Sequence, residues 1–289
     1  MINLKITDVR VLPGDSAFLI DDGKTTVLYD AGFGFTGEGI AKNIKRELAD
    51  RNLDYIFLTH SHYDHALGAP YIAKQYPDVK IVAGEYAAKI FEKPSAKSTM
   101  RELDRKFARK CGVYEYEDLA DNLKVDIVVG DGDSITAGDM QFTAVNLPGH
   151  TKCSVGFYLK KNKLLLSSET LGVYFGNNEV LPICLVGYQM SLDSYKKAKA
   201  LDIENFLIPH YGLLTKEETA HFLENSESAL RRTAENVVNI LSSGGTDKDA
   251  LKYFEDNFYT ATIRPAYPID AFFLNTSIMI ELIKKELIK

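Results

Sequence analysis

Three of the six histidines in this sequence fall between positions 60 and 65, and an aspartate lies among them. Imidazole and carboxylate groups are the ligands that zinc, iron and manganese take in proteins. A turn after a buried strand lets His60 and His62 point to one metal ion, while Asp64 and His65 on the next turn can reach a second one. The spacing therefore predicts a two-metal site rather than a chance group of surface histidines.

Two further histidines directly follow predicted strands. His150 lies in the loop 147–151, and His210 follows the apolar segment 206–208. Loops at strand ends carry functional sites more often than the strands themselves do. Either histidine alone would indicate a hydrogen-bonded structural residue, but beside the cluster at 60–65 both become candidate metal ligands.

The pattern of apolar residues predicts the elements that position these side chains. Strands are predicted at 5–11, 17–20, 25–30, 55–59, 80–83, 125–129, 140–146, 154–159, 163–167 and 206–208. Helices are predicted from about 37, within the polar insertion 85–119, and at 192–201, 216–241, 246–254 and 270 to the end, the last with Phe273, Ile280 and Leu287 in the core. Strands in succession with occasional helices indicate two β-sheets with helices packed outside.

The composition limits the class of protein. The chain has 289 residues, a formal charge of −6, 45% hydrophobic and 26% charged residues, which is typical of a globular protein and not of a disordered one. No apolar run approaches the roughly 18 residues of a membrane span. The first residues lack the basic and apolar regions of a secretory signal, and three cysteines are too few for a disulfide framework. We therefore expect a cytoplasmic protein without a membrane partner.

The sequence pattern changes after Gly212, from predicted strands to predicted helices. We predict two segments, 1–212 with the sheets and 213–289 as a helical extension packed on it. About 77 residues alone bury only a marginal core, so the extension is expected to cap the main body.

The pattern His-x-His-x-Asp-His after a buried strand resembles the mark of the metallo-β-lactamase superfamily, over roughly residues 1–212. The resemblance implies an α/β fold, a four-layered αββα sandwich with the metal site at one edge and a C-terminal helical cap. It implies two divalent metal ions as cofactors, zinc or iron, with manganese as a further choice. The first ion would be held by His60, His62 and His150, and the second by Asp64, His65 and His210.

Two acidic residues extend this ligand set. The superfamily normally has an aspartate that bridges both metals, and Glu169 in Ser168-Glu169-Thr170-Leu171 stands in its place. This variation resembles a thioesterase-like branch associated with quinolone signalling, where an iron pair is found. The alternative is an exposed loop acid without metal contact. Asp30, at the end of a strand, resembles a position that supports the histidine loop from behind, although a simple turn-forming acid is equally compatible.

The resemblance implies a hydrolase in which a metal-bridged hydroxide attacks the carbonyl of a thioester, ester or lactone, with Asp64 assisting proton transfer. The helical C-terminal region is similar to that of glyoxalase II, whose helices help to bind a thioester. Tyr188 and Tyr211 are candidate substrate-binding residues, with core packing as the alternative. The aromatic residues proposed for an apolar acyl pocket are Phe258, Phe272 and Phe273.

Two other functions are kept open. A phosphodiesterase or ribonuclease of the same superfamily is favoured only by Lys97, Arg101, Arg105 and Arg109, which lie four residues apart on one helix face. The net charge of −6 counts against nucleic acid as a partner. A non-catalytic signalling protein that binds a metabolite is the third hypothesis. The expected partner is a small-molecule ester or thioester, and a homodimer is left open.

Overall fold

The computed structural model describes residues 2–288; Met1 and Lys289, which end the two predicted segments, lie outside this range. The strands in the described range are β1 (Lys5–Asp8), β2 (Phe18–Asp21), β3 (Thr26–Tyr29), β4 (Tyr55–Leu58), β5 (Lys80–Gly84), β6 (Ile127–Val129), β7 (Ser134–Ala137), β8 (Met140–Asn146), β9 (Val155–Leu159), β10 (Leu164–Leu166), β11 (Val173–Tyr174), β12 (Val180–Leu181), β13 (Asn205–Ile208) and β14 (Gly212–Leu213). The helices are α1 (Gly37–Leu48), α2 (Tyr63–Ala66), α3 (Ala69–Gln75), α4 (Glu85–Phe91), α5 (Pro94–Lys110), α6 (Tyr188–Lys199), α7 (Lys216–Ser242), α8 (Asp247–Phe258) and α9 (Ile269–Leu287).

The first sheet contains β1 to β6 in chain order. β1, β2 and β3 pair antiparallel, whereas β3, β4, β5 and β6 run parallel. The register pairs Tyr29 of β3 with Phe57 of β4. Because parallel strands end at the same edge of a sheet, the residues that follow them, Asp30 and the segment 59–65, leave the sheet side by side.

The second sheet has the strand order β14-β13-β10-β9-β8-β7. Its pairs are antiparallel except for β10 and β13, where Leu166 lies beside Leu207. This parallel pair brings Glu169, just after β10, and His210, just after β13, to the same edge. β11 and β12 form a separate small antiparallel sheet nearby in the chain.

The four layers are held together by three apolar clusters. Between the sheets, Phe57 packs against Phe157 and Phe142, with ring centroids 4.6 and 5.1 Å apart. Helices α1 to α5 cover the first sheet, and α1 buries Ile40 and Ile44 at the predicted spacing of four. Helices α6 to α9 cover the second sheet. The predicted α/β class and the four-layered αββα sandwich are confirmed.

The three C-terminal helices pack on one another and, through α7, on the second sheet. α7 and α8 both begin with capping boxes, formed by Thr215 with Glu218 and by Thr246 with Asp249. The ring of Phe222 in α7 lies 5.1 Å from that of Phe206 in β13. Strand β14 crosses the predicted division at 212 by one residue, and the division itself stays a prediction. Within residues 2–288, no helix is long and apolar enough to cross a membrane.

Several predicted elements are wrong in detail. The sequence pattern does not predict strand β7, because only two of its four side chains are buried and the segment is short. Helix α6 begins at Tyr188 rather than at 192, since its first turn is mostly polar. The helical part of the insertion ends at Lys110, and Gly112 follows with a φ of +80°. Leu287 is 39% exposed rather than buried, because the last turn of α9 extends past the packed part of the helix.

Candidate metal centre

Four side chains converge at the carboxyl ends of β4, β8 and β10. They are His60, His62, His150 and Glu169, and their ligand atoms all lie within 4.8 Å of one another. Nε2 of His150 lies 3.0 Å from Nδ1 of His62 and 2.8 Å from Oε2 of Glu169. His60 and His150 are buried, so this first group lies at the floor of a cavity.

A second group contains Asp64, His65 and His210, again with ligand atoms within 4.8 Å of one another. Nε2 of His210 lies 3.1 Å from Nε2 of His65. Oδ2 of Asp64 lies 3.8 Å from Nε2 of His65 and 3.9 Å from Nε2 of His210. The Asp64 side chain is 24% exposed, so it is the member of this group that faces incoming molecules most openly.

Glu169 contacts both groups. Its Oε2 atom lies 3.4 Å from Nε2 of His60 and 3.6 Å from Nε2 of His65, and its Oε1 atom lies 3.4 Å from Nε2 of His210. The side chain is buried, in a short 3₁₀ turn that directly follows β10. Glu169 is therefore not an exposed loop acid, and its two oxygens lie between the two sets of histidines.

Asp30 supports the second group from behind. Its Oδ2 atom lies 2.8 Å from Nδ1 of His65, and both side chains are fully buried. The same carboxylate accepts hydrogen bonds from the main-chain N–H and hydroxyl of Thr59 and from the hydroxyl of Ser16. A carboxylate on the far nitrogen of a histidine fixes its tautomer and orientation, which leaves Nε2 of His65 facing the centre.

His210 is also held through its backbone. Its Nδ1 atom lies 3.0 Å from the carbonyl oxygen of Gly14, and Arg10 donates a hydrogen bond to the His210 carbonyl. The His210 backbone lies in the left-handed region with a φ of +63°. These contacts turn the ring so that Nε2 faces His65 and Glu169.

Two glycines allow the ligand loops to approach their supports. A Cβ at Gly68 would lie 1.9 Å from the carbonyl oxygen of Ala31, so only glycine fits where the histidine turn packs on the loop after β3. Gly149 precedes His150 with a φ of +147°, and a Cβ there would lie 2.2 Å from Oγ of Ser191. Both positions require glycine for the ligands to meet.

The protonation of the first group suits a cation. Burial lowers the pKa of His60 to about 3, so its imidazole is neutral and can act as a ligand. Burial alone would raise the pKa of Glu169, but His150 and the other imidazoles around it hold that pKa well below its usual range. Nε2 of His60 is buried and has no hydrogen-bond partner in the described chain. A divalent cation between these nitrogens and carboxylates would satisfy an atom that otherwise costs about 1–3 kcal/mol.

The two groups form the floor of a cavity of about 300 Å³. His62, Asp64, His150, Glu169 and His210 line its floor. The sequence pattern does not predict the wall residues, which come from the loop after β3, from α5, and from α9 and the segment before it; among them are Phe33, Leu103, Phe107, Tyr267 and Leu274. The apolar periodicity of α5 and α9 predicts helices with a buried face, but it does not show which space that face borders.

The two tyrosines predicted to bind substrate lie outside this cavity. Tyr188 is the first residue of α6, and its main-chain N–H donates to Glu286 at 3.0 Å. The hydroxyl of Tyr211 donates to Glu218 at 3.0 Å, and its ring packs on Tyr174. Tyr211 is separated from the side chains of the two ligand groups because the chain turns into β14 directly after His210.

The three phenylalanines predicted to form an apolar pocket do not line this cavity either. Phe272 is fully buried, with its ring 4.9 Å from that of Tyr259. Phe258 lines a separate cavity beside α7, and Phe273 packs within the helical cluster. None of the three lines the cavity above the ligand groups, since neighbouring positions on a helix face different directions. The acyl pocket itself stays a prediction.

The predicted basic stripe on α5 is largely neutralised within the protein. Oδ2 of Asp118 lies 2.6 Å from Nε of Arg101 and 2.8 Å from Nη2 of Arg105. Nζ of Lys97 donates to the carbonyl oxygens of Asp121 and Leu123. These three cations hold the loop after α5 and do not line the cavity above the two groups.

A sequence profile described as "Metallo-beta-lactamase superfamily" matches residues 13–210, which is more than half of the chain. The chain belongs to the metallo-β-lactamase superfamily. Its relatives in this superfamily include Glyoxylase B2 of Dictyostelium discoideum, 29% identical over 39% of this chain and 34% of the relative. A hydroxyacylglutathione hydrolase of Francisella tularensis subsp. holarctica is 26% identical over 50% of this chain and 46% of the relative. The chain thus matches a third to a half of the length of these two relatives.

Solved structures show the same superfamily fold. A metallo-β-lactamase family protein from Thermus thermophilus has a TM-score of 0.63 at 15% identity, covering 93% of this chain and 88% of that one. This match extends beyond residue 210. The C-terminal helices of this metallo-β-lactamase superfamily member are therefore included in a fold that a solved structure shares.

Proposed function

We propose that this chain is a metal-dependent hydrolase that cleaves a carbonyl compound, a thioester, ester or lactone. The observation that carries the proposal is the position of Glu169, whose carboxylate contacts both ligand groups at the floor of a cavity with apolar walls. Membership of the metallo-β-lactamase superfamily supports the metal dependence. The similarity to a hydroxyacylglutathione hydrolase supports an acyl compound as the substrate.

The ligand set would hold two divalent cations. His60, His62 and His150 would bind the first, Asp64, His65 and His210 the second, and Glu169 would bridge them. When bound, such cations polarise a carbonyl oxygen and make water more acidic. Zinc and iron both suit the imidazole and carboxylate donors, with manganese as a third choice.

The protein's own side chains would move the proton and hold the reacting oxygen. The carboxylate of Asp64 is positioned to take a proton from the attacking water and return it to the leaving sulfur or oxygen. Tyr267 lines the cavity, and its phenol oxygen accepts a hydrogen bond from Nδ2 of Asn275 at 2.5 Å. Burial raises the pKa of Tyr267 well above its usual value, so the hydroxyl stays protonated and can donate to the developing oxyanion.

The experiment is to measure metal content and hydrolysis together. Purified protein loaded with zinc, iron or manganese is assayed on acyl-coenzyme A, S-acylglutathione and lactone substrates, and its metals are counted by mass spectrometry. We expect about two cations per chain and metal-dependent hydrolysis, with His62→Ala losing both. His221→Ala is the matched control, because His221 is exposed on α7 away from the centre. A metal-replete protein inactive on the whole panel would contradict the proposal.

The phosphodiesterase alternative is weakened, since Arg101 and Arg105, two of the four cations that suggested it, are paired with Asp118. Salt-sensitive RNA binding lost in Arg101→Ala would revive it. A non-catalytic metabolite-binding protein would bind the substrates without turnover. We further propose a cytoplasmic location and a small-molecule substrate, with the oligomeric state measured in the same preparations by light scattering.

A further inference from the structure

The cavity above the metal centre lies between one face of α5 and one face of α9. α5 contributes Leu103 and Phe107, four residues apart, and α9 contributes Leu274 and Ile278, also four residues apart. Residues at this spacing lie above one another on the same side of a helix. The two helices therefore form two opposing apolar walls that run along their axes.

The apolar surface continues from the metal ligands to solvent. At the inner end, Phe33 is buried and its ring lies 4.8 Å from that of Phe107 and 5.6 Å from that of Tyr63. At the outer end, Leu274 is 54% exposed and Ile278 is 39% exposed. Large apolar side chains exposed beside an open cavity are typical of a ligand-binding surface.

Apart from the carboxylates of Asp64 and Glu169 at the floor, the charged side chains that line the cavity lie at its rim. Lys106 and Lys110 of α5 and Asp270 of α9 line the cavity, and Nζ of Lys110 lies 2.6 Å from Oδ2 of Asp270. Between this ion pair and the metal ligands, the polar wall groups are those of Tyr63, Tyr267 and Asn275, and Asn275 donates a hydrogen bond to the Tyr267 hydroxyl. The walls thus offer few partners for a polar group and a long surface for an aliphatic one.

We propose that the substrate carries an aliphatic acyl chain, which lies between α5 and α9 with its carbonyl at the metal centre, and that Leu274 and Ile278 select its length. This inference rests on the proposed function, because it places the scissile carbonyl at the same centre. Hydrolysis then adds water across the carbonyl–sulfur or carbonyl–oxygen bond and releases a fatty acid and a thiol or alcohol. An acyl chain accounts for this surface better than a second copy of the protein does, because the exposed pair is the outer end of the wall that reaches the ligands.

The test is a series of saturated acyl thioesters of one thiol, from acetyl to dodecanoyl, with the metal-loaded protein. Each methylene that reaches the walls is expected to raise kcat/KM about fourfold until the cavity is filled. The double variant Leu274→Ser/Ile278→Ser is expected to flatten the outer part of the series, so that kcat/KM rises only up to the chain lengths that end before these two side chains. Ile269→Ser is the matched control, because Ile269 is 41% exposed on the same helix and does not line the cavity.

A binding measurement separates this inference from the proposed function. Alkyl thioethers of the same thiol, which cannot be hydrolysed, are titrated into the loaded protein by calorimetry. If affinity rises with chain length while no substrate is turned over, the proposed function fails and the acyl site stands. If thioesters are hydrolysed with equal kcat/KM at every length, the acyl site is overturned and the hydrolase stands. A dimer that the double variant converts to a monomer would also overturn it, by assigning the exposed pair to a second copy.

Discussion

Nδ1 of His65 lies 2.8 Å from Oδ2 of Asp30, although the two residues are 35 positions apart in the chain. The contact exists because β3 and β4 are parallel neighbours, so the residues that follow them meet at one sheet edge. Burial alone would lower the pKa of His65, but Asp30 and Asp64 outweigh it and raise that pKa well above its usual value. The relationship fixes which nitrogen of His65 faces the metal centre.

We expect Asp30→Asn to weaken cation binding at the second group by about 10- to 100-fold, because an amide no longer fixes the His65 tautomer. The first group keeps all its ligands, so metal content should fall from about two to about one per chain. Titration against a chromophoric chelator measures both affinities.

Asp78→Asn is the control for that substitution, since Asp78 is exposed and far from the sheet edge. Far-ultraviolet circular dichroism on all three proteins checks that the fold is retained. Two cations bound by Asp30→Asn with unchanged affinity would show that Asp30 does not orient His65.

Glu169→Asp tests whether the Glu169 carboxylate bridges the two ligand groups. The turn at 169–171 is fixed by Thr170, whose hydroxyl accepts a hydrogen bond from the His150 N–H at 3.1 Å, so the backbone cannot easily advance. A side chain one methylene shorter then contacts the first group or the second, but not both. We expect about one cation per chain by mass spectrometry and a large loss of hydrolysis.

Glu169→Gln keeps the length and removes the charge, so it should lower the affinity at both groups rather than at one. Glu224→Gln, on the exposed side of α7, controls for loss of an acidic residue. Full occupancy in Glu169→Asp would mean that the loop adapts and that the extra methylene has no role at the centre.

The ligand set could be predicted from the sequence because its signals are local. The histidine cluster at 60–65 is contiguous, and His150 and His210 each directly follow an apolar strand, so strand ends alone place them at one edge. Residues such as Phe33, Phe107 and Tyr267 carry no such signal. They meet only because α5, within an insertion, and α9, near the end of the chain, pack across the same opening.

Tyr188 and Tyr211 show that the position of a residue along the sequence does not tell whether its side chain faces the cavity. Tyr211 directly follows His210 but points toward α7, where Glu218 accepts its hydrogen bond, and Tyr188 is the first residue of α6. The direction of a side chain after a turn depends on tertiary contacts that periodicity does not contain. Two other tyrosines line the cavity: Tyr63 lies within the histidine cluster, whereas Tyr267 lies more than 50 residues beyond Tyr211.

Tyr267→Phe tests whether the hydroxyl of Tyr267, unlike those of Tyr188 and Tyr211, acts in the reaction. Removal of one donor to an oxyanion typically lowers kcat by about 10²- to 10³-fold, and the phenyl ring keeps the apolar contacts, so KM should change little. Tyr211→Phe and Tyr188→Phe are matched controls, and both should retain near-normal kcat. Equal losses in all three variants would assign the effect to packing instead.

Asp104 gives the fold a predictable dependence on pH. It is buried in α5, where Oδ1 accepts a hydrogen bond from the Gly34 N–H at 2.9 Å and Oδ2 accepts one from the Tyr116 hydroxyl at 2.5 Å. Burial raises the pKa of this carboxyl from 3.8 to about 6 despite both bonds. Between pH 4 and 6 the folded chain thus holds a proton that the unfolded chain has released.

The contribution of Asp104 to the free energy of unfolding should therefore be largest below about pH 4, and it should fall as the pH rises through about 6. The full change is roughly 3 kcal/mol, with no further loss once both states are ionised. Asp104→Asn cannot titrate, so its unfolding free energy in urea should be flatter than that of the wild type over this range. Asp78→Asn should keep the wild-type slope. A slope in Asp104→Asn as steep as in the wild type would mean that Asp104 is ionised throughout in the folded protein.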